Sequence, residues 1–166
     1  MSWWRKEAIN LGHREPELPA EREWLPDEAR PITLERVKET LRRLQIRFLT
    51  DDEGYLLALW EGHSVLFGVE GEEDNVLVMR ARADALVPQE WAVRAYTAVN
   101  EWNRTRRFLK AFIGTPADSG SLPVYGEMQV YLGTGVHDAL LDDLVDCVTS
   151  VAGAWMEWLS DEGGLI

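Results

Sequence analysis

The hydrophobic pattern changes its period once, abruptly, between residues 91 and 113. Up to Trp102 the apolar side chains recur at the spacing of a helix, and over residues 108–113 they alternate with a period of two. The stretch 103–107 between them is polar and basic. Because a helix repeats every 3.6 residues and a strand every two, this switch predicts a long helix that ends near Asn103 and a buried strand directly after it.

The flanking patterns supply the remaining elements. Thr33 fits the N-cap of a first helix, with Ile32 and Val37 placed as a hydrophobic staple. Pro88 fits the first turn of the central helix. The strand at 108–113 is expected to form a hairpin with the alternating segment 122–132. Further strand-like segments lie at 46–50, 55–60, 64–69 and 76–81, and a last helix is predicted over about 136–159.

The last helix is predicted to bury one apolar stripe, which includes the single cysteine of the chain. We therefore expect Cys147 to be a buried structural thiol and not a nucleophile. The stripe consists of Val136, Leu140, Leu144, Cys147, Val151, Ala154 and Trp158.

Together these elements predict an α+β domain over residues 32–166. Short turns between strands imply antiparallel pairing, so we expect a sheet of about five strands with helices packed on it, in the order α-β-β-β-α-β-β-α. Residues 1–31 are interrupted by four prolines and predict an arm. The arm carries Trp3, Trp4 and Trp24, which we expect to pack on the body of this chain or of a second copy.

The charge of the chain argues against two classes of partner. The net charge is −12, and all 17 basic residues lie within residues 1–110. Nucleic acids and anionic membranes bind through Lys and Arg, so neither is expected as a partner. A lone cysteine fits a reducing compartment, and the chain shows neither a signal-peptide pattern nor a run of about 18 apolar residues. We predict a cytoplasmic protein.

The charged residues near the helix ends form the candidate partner-binding surface. One group follows the central helix and is basic, and the other lies on the last helix and is acidic. We expect the two groups to serve contacts between proteins or within the chain. The first helix also has a basic face, which is either solvated or meets an acidic surface such as the last helix of this or another copy. The candidate residues are Trp102, Arg104, Arg106, Arg107, Lys110, Asp138, Asp142, Asp143 and Asp146.

The chain lacks the motifs of familiar catalytic and cofactor sites. It contains no nucleophile elbow, Walker loop or dinucleotide-binding glycine pattern. His13, His63 and His137 do not have metal-ligand spacing with another histidine or with the cysteine. We therefore predict no catalytic residues, no metal and no cofactor.

A series of short motifs resembles one bacterial protein family. The motifs are Asn-Glu-Trp-Asn at 100–103, Arg-Arg-Phe at 106–108, Lys-Ala at 110–111, Val-Tyr-Gly-Glu-Met-Gln-Val at 124–130, and Glu-Trp-Leu at 157–159 before Asp-Glu at 161–162. In this order they resemble the YbjN-domain family over residues 32–159. The resemblance implies a fold like that of type III secretion chaperones, frequent dimers and a role as a regulator of sensory transduction, without assigned catalytic residues. At Leu109 the family pattern leads us to expect proline.

Three functions remain open at this point. The first is a non-enzymatic, homodimeric interaction or chaperone-like regulator that binds a peptide or protein in a groove. The second is a small-molecule-binding or catalytic domain with an aromatic-lined pocket. The third, which the charge disfavours, is a nucleic-acid-linked regulator that uses the basic group after the central helix.

Overall fold

The computed structural model describes residues 28–166 and confirms an α+β fold. The sheet has six strands instead of about five, because the short strand at 48–50 belongs to it. The predicted arm lies outside the described residues except for 28–31. The elements are α1 (Leu34–Arg43), β1 (Phe48–Thr50), β2 (Leu56–Trp60), β3 (His63–Glu70), β4 (Val76–Val87), a 3-10 turn (Gln89–Trp91), α2 (Ala92–Thr105), β5 (Lys110–Ile113), β6 (Leu122–Tyr131) and α3 (Asp138–Ser160).

All neighbouring strands of the sheet are antiparallel, in the order β1-β2-β3-β4-β6-β5. The predicted hairpin is confirmed, with Lys110 opposite Glu127 and Ile113 opposite Val124. Strand β4 is longer than predicted, because it pairs with β3 on one side and with β6 on the other. The sheet therefore has two edges, which are β1 and β5.

Helices α1 and α3 cover only one face of the sheet. Alternate side chains such as Val65, Phe67 and Met79 are fully buried beneath α1 and α3, as the period of two predicts. On the opposite face, Leu49 and Leu59 are 61% and 60% exposed. The apolar side chains of the sheet thus form one core and leave a second, open face.

Two local predictions about the helices are wrong. Helix α2 begins at Ala92 and not at Pro88, because Pro88 precedes a separate 3-10 turn. Helix α3 is rotated from the predicted stripe by about one residue: Leu140 is 48% exposed, and Cys147 is half-buried, not buried. The buried stripe of α3 consists of Leu141, Val145, Val148, Ala152, Trp155, Trp158 and Leu159.

Helix α1 starts at the predicted cap and turns its basic side toward α3. The Thr33 hydroxyl accepts the backbone N–H of Arg36 at 3.3 Å. The Arg43 guanidinium donates two hydrogen bonds, of 2.6 and 3.1 Å, to the carboxylate of Asp142 on α3. The expectation that this basic face meets the acidic last helix is confirmed within one copy of the chain.

Arg36 is a buried cation on this helix, although the sequence placed it on a basic surface. Its guanidinium donates to the carbonyl oxygens of Arg30, Pro31 and Val136 at 2.6, 2.8 and 2.7 Å. It also donates to the Asp138 carboxylate at 2.6 Å. One side chain therefore ties the segment before α1 to the start of α3, where Arg30 and Val136 also form a backbone bridge.

We expect this tie to be sensitive to acid. The hydrogen bond from Arg36 lowers the pKa of Asp138 below its ordinary value of 3.8. A carboxylate with a lowered pKa stabilises the fold above its unfolded-state pKa, and this contribution is lost as pH falls through the folded-state pKa. Asp138→Asn should flatten the decline of the unfolding free energy below about pH 4, as measured by urea unfolding at several pH values.

Asp143→Asn is the matched control, because Asp143 is exposed and makes no ion pair within residues 28–166. Its acid profile should follow that of the wild type. Identical profiles for the two variants would contradict a contribution from the Arg36–Asp138 pair.

Candidate functional site

The junction of α2 and β5 is held by two side chains of the helix. The indole Nε1–H of Trp102 donates to the carbonyl oxygen of Leu109 at 2.9 Å. The Asn103 side chain both donates to the carbonyl oxygen of Ala111 and accepts its N–H, at 2.9 and 2.8 Å. These backbone groups point away from β6, so α2 satisfies the outer edge of β5 and closes that edge of the sheet.

Phe108 lies at the tip of this junction in a strained conformation. Its φ is +69°, and the N–H of Leu109 donates across it to the carbonyl oxygen of Arg107 at 2.9 Å. A hydrogen bond between residues i and i+2 around a positive φ is the classic γ-turn, which is rare and strained. The Phe108 side chain is nevertheless 67% exposed.

Leu109 explains why the chain accepts this turn. Its side chain is 1% exposed and lies so close to Gly126 that a Cβ at 126 would stand 2.1 Å from Leu109 Cδ2. Leucine here also supplies the N–H of the γ-turn, which the proline expected from the family pattern lacks. Burial of Leu109 and the two contacts from α2 together hold Phe108 outward.

The exposed ring borders a groove between this junction and the second half of α3. The groove has a volume of about 490 Å³ and is open to solvent. Trp102 and Trp158 form part of its wall, with ring centroids 5.5 Å apart. The lining residues are Trp102, Thr105, Arg106, Arg107, Phe108, Val151, Ala154, Glu157, Trp158, Asp161 and Glu162.

Charges of both signs surround the aromatic side chains of the groove. The Arg106 guanidinium lies 5.8 Å from the centre of the Trp102 ring and 3.8 Å from a carboxylate oxygen of Glu162. Glu162 also accepts the indole N–H of Trp158 at 2.8 Å. Arg107, by contrast, makes no ion pair within residues 28–166, and its guanidinium bonds only the carbonyl oxygen of Arg106.

The structure divides the predicted basic group. Trp102, Arg106 and Arg107 line the groove. Arg104 forms a surface ion pair with Glu101 at 2.6 Å, which lowers the pKa of that carboxyl. Lys110 lies at the sheet edge, opposite Glu127.

The predicted acidic group lies at the other end of α3 and serves a different helix. Asp138 and Asp142 contact arginines of α1 and of the segment before it. Asp143 and Asp146 are exposed and make no ion pair among the described residues. The basic group after α2 and these four aspartates therefore do not meet within the copy of the chain.

The sequence did not identify the acidic half of the groove. Glu157 lies in the last turn of α3, and Asp161 and Glu162 follow the helix. The incorrect prediction of the buried stripe gave no orientation for this end of the helix. The sequence feature that could have identified it is Glu157-Trp158-Leu159, which was recognised only as a motif that resembles the family. Its Trp158 is buried at 7% exposure and supports the groove from below.

No group of three or more His, Cys, Asp or Glu side chains within residues 28–166 could hold a metal ion. His63 is 6% exposed and stacks on Trp60 at 5.4 Å, and burial lowers its pKa. No helix in this part of the chain is long and apolar enough to cross a membrane.

Trp102 should be the most sensitive position of the junction, because it is 2% exposed and also bonds Leu109. Trp102→Ala should lower the free energy of unfolding by about 3–5 kcal/mol in urea titrations. Trp102→Phe keeps most of the packing and removes the hydrogen bond, so it should cost about 1–2 kcal/mol. A loss below about 0.5 kcal/mol for Trp102→Ala would show that the ring is not part of the core.

Comparisons with known proteins agree with this architecture. A search of curated proteins gives no match. Among solved structures, the chain is similar to the "Crystal structure of YbjN, a putative transcription regulator from E. coli". The TM-score is 0.68 at 14% identity, over 81% of this chain and 97% of that chain, which shows a shared fold. The family model "YbjN: Putative bacterial sensory transduction regulator" matches residues 33–161, and the chain therefore belongs to the YbjN family.

Proposed function

We propose that the protein is a non-enzymatic, homodimeric regulator that binds a segment of a partner protein in the groove beside Phe108. The family description names a regulator, and the groove offers a surface for recognition instead of an assembled set of reacting groups. Its single cysteine fits work in the cytoplasm.

The observation that carries this proposal is the strained, exposed Phe108. A residue in a sparsely populated backbone region costs about 1–3 kcal/mol, and such residues cluster at binding and catalytic sites. An exposed phenylalanine gains little from folding to offset this cost. A partner that covers the ring would provide the missing burial, since aromatic side chains dominate the energy of many interfaces.

The groove favours a peptide segment with one apolar anchor and polar flanks of both signs. The ring of Phe108 and the wall formed by Trp102 and Trp158 suit an aliphatic or aromatic side chain. Arg107 is available to an acidic flank, and Glu157 and Asp161 to a basic one. A nucleic acid fits poorly, because three carboxylates line the same groove.

A small apolar ligand is the second candidate, because the groove volume falls within the range of known ligand pockets, about 300–1,000 Å³. The open shape and charged margin favour a polypeptide. Among the described carboxyl groups, Glu101 and Asp138 have a pKa lowered by hydrogen bonds from arginine partners, and both lie outside the groove. Catalytic acids are typically shifted by burial within the pocket itself.

Phe108→Gly should separate function from stability. Glycine accepts a positive φ without strain, so this variant should be more stable than the wild type by about 1 kcal/mol after the entropy cost of glycine. The same variant should lose partner binding. Urea unfolding measures the first effect, and a destabilised variant would contradict the strain argument.

Binding is tested by photo-crosslinking in the native host. We would replace Phe108 by p-benzoylphenylalanine and identify the cross-linked protein and peptide by mass spectrometry. Glu72, an exposed turn residue outside the groove lining, is the control position. The proposal expects one protein captured at 108 and not at 72, and its binding should be lost in Phe108→Gly and Arg107→Glu. Equal capture at both positions, or binding unaffected by these variants, would refute it.

A further inference from the structure

The outward backbone groups of the two edge strands, β5 and β1, differ in whether they have hydrogen-bond partners, and this difference indicates a surface for self-association. At β5, the outward backbone groups of Leu109 and Ala111 are occupied by side chains of α2. At β1, the other edge, no helix or side chain within residues 28–166 bonds the outward backbone. An edge strand with free N–H and C=O groups is a template for pairing with another chain.

The register determines which groups of β1 are free. The N–H of Asp51 donates to the carbonyl oxygen of Tyr55 at 3.0 Å, and Leu49 pairs with Leu57. Hydrogen-bonded pairs alternate with non-hydrogen-bonded pairs along an antiparallel ladder. The backbone N–H and C=O groups of Leu49 and Asp51 therefore point toward β2, and those of Phe48 and Thr50 point away from the sheet. The free groups are thus arranged symmetrically about Leu49.

The sequence of the edge strand is complementary to itself. We propose that two copies of the chain pair antiparallel through β1, with a two-fold axis at Leu49, and that this forms the homodimer of the proposed function on which the inference rests. In this register Phe48 of one copy exchanges two hydrogen bonds with Thr50 of the other, giving four in total. Arg47 of each copy then lies opposite Asp51 of the other.

The exposed side chains agree with this register. Leu49 is 61% exposed on the open face of the sheet, and the two-fold axis would place it against its own equivalent. Arg47 is exposed and makes no ion pair within the described residues, so its charge is available to the second copy. Charge order and backbone direction therefore both favour a second copy over an unrelated strand.

A disulfide tests the register directly. In a non-hydrogen-bonded antiparallel pair the Cα atoms are about 4.5 Å apart, a distance that a disulfide can bridge. L49C in a Cys147→Ser background should form a disulfide-linked dimer of the full chain under mild oxidation, visible on a non-reducing gel. L59C in the same background is the matched control, because Leu59 is equally exposed on the same face. It lies on β2, so its equivalents would be separated by three strand spacings, more than about 14 Å, and should stay unlinked.

Sedimentation velocity over a concentration series measures how much the backbone hydrogen bonds of Thr50 and the charge of Arg47 contribute to dimer affinity. Thr50→Pro removes an outward N–H without touching the ladder to β2, and it should weaken the dimer at least about tenfold. Thr50→Ala keeps that N–H and should leave the dimer within about twofold. Arg47→Glu should also weaken dimerisation, whereas Arg107→Glu, the same charge change at the groove, should not.

These outcomes separate the interface from the proposed function. A wild-type dimer that L49C does not link, or that Thr50→Pro leaves intact, overturns the β1 interface while partner capture at Phe108 can still succeed. A monomer at every concentration overturns both the interface and the dimeric part of the function. A linked L49C dimer without capture at Phe108 supports the interface and refutes the groove.

Discussion

The arrangement of the molecule depends on how the outer edge of β5 is satisfied. Backbone N–H and C=O groups cannot be left without partners where water is excluded. Here Trp102 and Asn103, adjacent residues on α2, bond the carbonyl of Leu109 and both backbone groups of Ala111. These bonds fix α2 against the sheet. They also force a tight turn between helix and strand, which holds Phe108 outward.

The groove is a consequence of the same junction. The hydrogen bond from Trp102 to Leu109 orients the Trp102 ring toward the core, where it packs against Trp158 of α3. The groove lies beside these two rings, between Phe108 and the end of α3. At the opposite end of α3, ion pairs hold the helix, because Arg36 binds Asp138 and Arg43 binds Asp142. The helix is therefore held by polar ties at its start and by aromatic packing at its end.

When one edge of a sheet is covered, a further strand can pair only at the other edge. Helix α2 blocks β5, whereas within residues 28–166 the outward backbone groups of β1 have no partner and Leu49 is exposed. Recognition of a partner and association with a second copy would then use opposite ends of the sheet. Each could vary separately, because the groove and the edge strand have no residue in common.

The sequence by itself determined the elements whose signals are local. The change of period predicted the end of α2 and the start of β5, Thr33 predicted the start of α1, and alternation predicted the β5–β6 hairpin. Each follows from neighbouring residues, because strand and helix periods and caps are properties of short segments. The sequence also identified Trp102, Arg106 and Arg107, which line the groove.

Only the tertiary structure decided how these elements face one another. Helix α3 is apolar around most of its circumference, so Leu140 and Leu141 are equal candidates for the core until the sheet selects Leu141. Arg36 appeared as a surface cation because two of its partners, the Val136 carbonyl and the Asp138 carboxylate, lie 100 and 102 residues away in the chain. The strain at Phe108 was likewise invisible, since it arises from the burial of Leu109 over Gly126, and packing between distant segments leaves no periodic trace.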